Sequence, residues 1–157
     1  MPTTWETKPR VWVKKVSPDT IVQDYADLMD MMEYDKYFSK EDKTIVKLNL
    51  SWSKFFPACS SPPWQVDGVL KKLHDDDFPS KNIFTAENRT VVTNIAKGLK
   101  ANKWEPIIAK YNNYFVPLTR VKFVPFESKI PLDALDSKVF PEGFTIPKFY
   151  MGKNMIH

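Results

Sequence analysis

Lys47 and Asn49 stand two residues apart in the run Ile45-Val46-Lys47-Leu48-Asn49-Leu50, where an apolar strand has no packing reason to carry either. A mid-strand lysine must bring its ammonium to water, to a carboxylate or to a ligand. Three readings follow: an amine reaching past a sheet edge, an internal salt bridge, or a charge offered to an anion. Ser60 and Ser61 precede Pro62-Pro63 at a helix entrance, where unpaired N–H groups and the helix dipole favour negative charge. Ser61 could equally serve as a simple N-cap. Glu87 closes the next apolar run, in the polar cluster Glu87-Asn88-Arg89. Together Lys47, Asn49, Ser60, Ser61 and Glu87 form a candidate ligand-binding set: a charge, an orienting carboxamide, hydroxyl donors and a carboxylate. No general base is evident among them, so the catalytic residues stay unknown and no reaction is assigned.

These residues need a scaffold that ends its strands at one rim. In residues 44–50 the alternation puts Val46, Leu48 and Leu50 on one face and Ile45, Lys47 and Asn49 on the other. A long Pro- and Ser-rich loop follows, against about two to six residues in most connections. Trp64, Val66, Val69, Leu70 and Leu73 then recur at helical spacing. Upstream, Val11-Trp12-Val13 with Val16 reads as a first strand, and Ser17-Pro18 as the cap and first position of a helix. Its apolar stripe runs through Ile21, Val22, Tyr25, Leu28, Met29 and Met32; Asp24, Asp27, Asp30 and Glu33 on its flank read as a solvated face. Downstream come a strand near 82–85, a helical pattern over 90–99, a short helix holding Pro106, and an apolar run at 114–118. Strand and helix in alternation predict an α/β domain with a mostly parallel sheet and flanking helices, in a Rossmann-like three-layer arrangement. Residues 1–9 read as a flexible arm and 10–157 as a single domain. Residues 121–126 look strand-like, and the chain closes on the apolar Met155-Ile156, which suggests an α/β domain incomplete at its C-terminus.

Composition excludes more than it selects. The 157 residues are 43% hydrophobic and 27% charged, as in an ordinary folded domain. Only 4 glycines are present, and neither a dinucleotide fingerprint nor a phosphate loop occurs. The single cysteine, Cys59, cannot build a disulfide within the chain, an iron–sulfur cluster or a multi-cysteine zinc site, so no cofactor is expected. Neither Cys59 nor the two histidines suggest a nucleophile or a metal centre. The net charge of +4 is scattered and not clustered, which argues against nucleic acid as a partner. No run approaches the length of a membrane span and Met1 to Arg10 lacks an apolar signal core, so a cytoplasmic location is the default.

The strand at Ile45-Val46-Lys47-Leu48-Asn49-Leu50, with Ser60-Ser61-Pro62-Pro63-Trp64-Gln65-Val66-Asp67-Gly68-Val69-Leu70, resembles the uncharacterised family known as domain of unknown function 362. In that family a strand reading Lys-Pro-Asn-Leu leads through a Thr- or Ser-ended loop to an amphipathic helix. Lys47 and Asn49 match, Leu48 replaces the proline, and Ser60 and Ser61 stand where threonine is common. The family's Gly-Glu-Ser type turn keeps only its acidic residue here, in Thr85-Ala86-Glu87-Asn88. The resemblance covers residues 10–157 and implies the amino-terminal part of a larger domain. The iron–sulfur motifs of many members have no counterpart in this chain.

Two functions are therefore expected in parallel. One is a domain binding a small anionic ligand at the strand carboxyl ends around Lys47 and Asn49. The other is a non-catalytic interaction module, or a partial domain completed by a second chain or by a missing C-terminal half. The aromatic surplus, with Trp5, Trp12, Trp52, Trp64 and Trp104, supports the second, although packing in the core would also explain Trp12, Trp64 and Trp104.

Overall fold

The computed structural model describes residues 10–118, 125–129, 145–149 and 154–156. The expected arm at 1–9 lies outside them, as do residues 121–124 of the strand-like run.

The chain is an α/β protein. Four strands, Thr44–Lys47 (β1), Ile83–Glu87 (β2), Tyr114–Pro117 (β3) and Asn154–Ile156 (β6), form one sheet in the order β3-β2-β1-β6. Every neighbouring pair in it is parallel. Pro125–Lys129 (β4) and Thr145–Phe149 (β5) make a separate antiparallel ribbon. The helices are Ile21–Met31 (α1), Pro63–Asp75 (α2), Ile95–Ala101 (α3) and Trp104–Lys110 (α4).

The register explains the core. Thr44 pairs with Ile83 and Val46 with Thr85, so these four share a sheet face, and all are buried. Val66, Leu70 and Leu73 of α2 pack there with Val46, Leu48 and Ile83, joined by Trp104 and Ile108 of α4. Parallel strands need such cover, since their crossovers lay helices against the sheet. Gly68 lets α1 cross α2 closely: a Cβ there would sit 2.5 Å from Tyr25 Cβ and 2.6 Å from the Val22 carbonyl oxygen.

Three local expectations are corrected. Residues 11–16 form no strand: Val11 and Val13 are 86% and 83% exposed, and Trp12 lies under the Arg10 guanidinium at 4.6 Å. β-Branched residues make a strand only beside a neighbour to pair with, and among the described residues none adjoins them. Helix α1 begins at Ile21 and not at Pro18, because Thr20 Oγ1 (2.7 Å) and Ser17 N (3.3 Å) both donate to the Asp24 carboxylate. The pattern over 90–99 yields a helix only from Ile95. Thr93 Oγ1 accepts from Thr90 N at 2.8 Å, Asn94 caps the helix through Lys97 N, and Val91 and Val92 stay exposed.

The acidic flank of α1 is paired throughout. Lys14 bridges Asp24 and Asp27, Lys72 meets Asp30, and Lys36 meets Glu33. No group of acidic, histidine or cysteine side chains suited to a metal ion occurs among the described residues. No helix among them is long and apolar enough to cross a membrane.

Candidate functional site

Lys47 and Glu87 end adjacent strands, and the fold brings them together. Lys47 Nζ lies 2.6 Å from Glu87 Oε1 and also donates to the Leu48 carbonyl at 2.7 Å. The Glu87 carboxylate is nearly fully buried and fully engaged: Oε1 also accepts from Asn88 N at 2.6 Å, and Oε2 accepts from Leu50 N at 2.7 Å. Leu48 N still donates to the Ala86 carbonyl at 2.8 Å, so the bond from Leu50 N to Glu87 supplies a rung the backbone no longer can. Of the three readings open for Lys47, the internal salt bridge is the one seen.

Asn49, Ser60 and Ser61 form the neck of a loop. Asn49 N donates to Ser61 Oγ at 3.0 Å, and Ser61 N returns a bond to the Asn49 carbonyl at 3.0 Å. The Ser61 carbonyl accepts from Trp104 Nε1 at 2.9 Å, which ties the neck to the fully buried indole of α4. Ser60 Oγ accepts from Ser51 N at 3.3 Å, and Asn49 Nδ2 donates to the Cys59 carbonyl at 3.1 Å. Ser61 does not cap α2. The N-cap is Pro62, which makes no side-chain cap bond, and Pro62 and Pro63 have no N–H to offer an anion. The cavity bordered by Lys47 and Ser61 measures about 40 Å³, space for about one or two waters.

The roomier space lies beside this set. A cleft of about 920 Å³ opens past the carboxyl ends of β2 and β3, lined by Ser53, Lys54, Arg89, Thr93, Asn94 and Lys97 among others. Three of its lining residues are cationic and none is acidic. Lys54, Arg89 and Lys97 make no salt bridge with any described residue. The nearest strand-end acid in sequence, Glu87, is already neutralised by Lys47. The loop after β1 is fastened to the cleft wall, since Asn94 N donates to Ser53 Oγ at 2.5 Å.

None of Lys47, Asn49, Ser60, Ser61 and Glu87 lines this cleft. They brace the segments that do. Sequence reasoning reached Arg89 as part of a strand-end cluster but passed over Lys54 and Lys97. The available signal was position: Lys54 lies in the loop after β1, and Arg89 lies two residues past β2. No family model matches this chain, and no curated protein or solved structure does either.

Proposed function

We propose that this is a binding domain for a small anionic molecule, held at the carboxyl ends of the parallel strands. The carrying observation is the cleft with Lys54, Arg89 and Lys97 and no acid in its lining. Strand carboxyl ends are where open α/β sheets hold ligands, and a cleft of this volume suits a small molecule. Lys47 and Glu87 fix the rim, and Asn49, Ser60 and Ser61 hold the loop that delivers Lys54. The proposal extends to a Rossmann-like layering, a cytoplasmic setting and kinship with domain of unknown function 362. It assigns no reaction.

Thermal melts with inorganic phosphate, pyrophosphate and citrate test it. A ligand at about a hundred times its Kd adds about 2.7 kcal/mol to the folded state, a visible rise in Tm. Lys54→Gln with Arg89→Gln should abolish that rise. An unmoved Tm in the native protein, or an equal rise in the double variant, overturns the proposal.

A second reading, a module completed by another chain, draws on the exposed Trp52, Phe55, Phe56 and Trp64. Light scattering that shows a monomer, together with no binding of a hydrophobic dye, would end it.

A further inference from the structure

We infer that the ligand has two parts, a flat unsaturated ring and a phosphate or carboxylate group, the chemistry shared by nucleoside phosphates and aryl carboxylates. The inference rests on the anion-binding reading above and adds a second subsite to it. A hollow of about 510 Å³ adjoins the cationic cleft, and the two share Ser53, Lys54 and Val92 as a common wall. Its other sides are Trp52, Phe56 and Cys59. Trp52 and Phe56 meet edge to face, with ring centroids 6.3 Å apart, and remain 49% and 47% exposed. Two bulky rings braced against each other yet half open to solvent offer a stacking surface that the fold itself leaves unused.

The two halves suit one occupant better than two. A purely apolar guest would leave the cations of the cleft without counter-charge, and a bare anion would leave the aromatic wall wet. The bond from Asn94 N to Ser53 Oγ holds the two lining loops at a fixed spacing, so both halves are in place before a ligand arrives. Lys54, bordering both spaces, is positioned to take the anionic group where it joins the ring.

The test compares whole and part ligands on the full chain, by titration calorimetry and Trp fluorescence. Adenosine monophosphate and indole-3-acetate represent the two sources of the chemistry; ribose 5-phosphate and adenosine represent the separate parts. At least one two-part probe should bind about tenfold more tightly than either part, the scale of one base stacked on an exposed aromatic ring. Tighter binding of adenosine monophosphate selects the phosphate source, and tighter binding of indole-3-acetate selects the carboxylate. Trp52→Ala, at an exposed site, should erase that advantage while leaving ribose 5-phosphate affinity unchanged. Equal affinity for ribose 5-phosphate and both two-part probes overturns the ring subsite and leaves the anion site standing. Adenosine binding as tightly as its monophosphate, with ribose 5-phosphate silent, overturns the anion site. Silence from all four overturns both.

Discussion

The ammonium of Lys47 and the carboxylate of Glu87 meet at 2.6 Å across neighbouring parallel strands, 40 residues apart in the chain. The pair is unequal. Glu87 is the more buried and holds two backbone N–H groups besides the lysine, whereas Lys47 keeps a partial outlet to solvent. Removing Glu87 therefore leaves two backbone N–H groups, those of Leu50 and Asn88, without their acceptor, while the freed Lys47 ammonium can still turn to solvent. Glu87→Ala is expected to cost about 3 kcal/mol, for two donors left unsatisfied, and Lys47→Met less, about 1–2 kcal/mol, because the carboxylate keeps both N–H groups. Urea unfolding of the two variants checks the order; a larger loss for Lys47→Met would contradict it.

The loop neck gives a second expectation. Ser61→Ala removes the acceptor of Asn49 N at a cost of about 1 kcal/mol while leaving the bond between the Ser61 carbonyl and Trp104 in place. The loss is local, so cleavage by chymotrypsin at Trp52 or Phe55 should speed up more than global stability falls. Limited proteolysis followed by mass spectrometry reads the cut sites.

Two glycines should answer differently to alanine. At Gly68 the new Cβ meets Tyr25 Cβ and the Val22 carbonyl, both fixed by helix α1, and forcing α1 away from α2 costs about 1–3 kcal/mol. At Gly98 the clash is with the Leu50 methyl groups, 2.5 and 2.6 Å away, which belong to one buried side chain and not to a helix backbone. Helix propensity returns up to about 1 kcal/mol there. Thermal melts should place Gly98→Ala well above Gly68→Ala.

Asp76 ties Tyr34 and Lys72 to the end of α2. Burial alone would raise its carboxyl, but the hydrogen bond from Tyr34 and the Lys72 ammonium outweigh burial and hold it below its ordinary value. The stability this supplies is complete above the unfolded value of about 4 and drains away as pH falls through the lower folded value. The Tyr34 phenol is pushed up, first by burial and then by its bond to Asp76. Its contribution holds below about pH 10 and declines above. Asp76→Asn should melt below the native protein near neutral pH, and the gap should narrow in acid. A gap constant with pH would show that the charge on Asp76 does not matter.

Much of the scaffold could be read directly from side-chain spacing. Val46, Leu48 and Leu50 alternate because one face of β1 and of the three residues that continue it is buried, although the strand itself ends at Lys47, short of the expected 44–50. Val66, Leu70 and Leu73 recur because one stripe of α2 is buried. Residues 11–16 misled because strand propensity says nothing of whether a partner strand lies alongside. Val91 and Val92 misled because short-range bonds at Thr93 and Asn94 postpone the helix, a contest that apolar periodicity does not register. The site was legible only in part. Glu87 was named without its tie to Lys47, which depends on the parallel register of β1 and β2. The cations of the cleft come from three separate segments, and no local pattern links Lys54 to Arg89 and Lys97.

The closed neck at Asn49 and Ser61 has an evolutionary corollary. Residues 52–58 hang from a seal that bonds to the scaffold at Trp104, while Val46, Leu48 and Leu50 keep their places beneath it. Beyond Ser53, which Asn94 N holds to the cleft wall, the tip can be lengthened, shortened or recomposed with little toll on folding, so its binding preference can change while the hinge pins stay put.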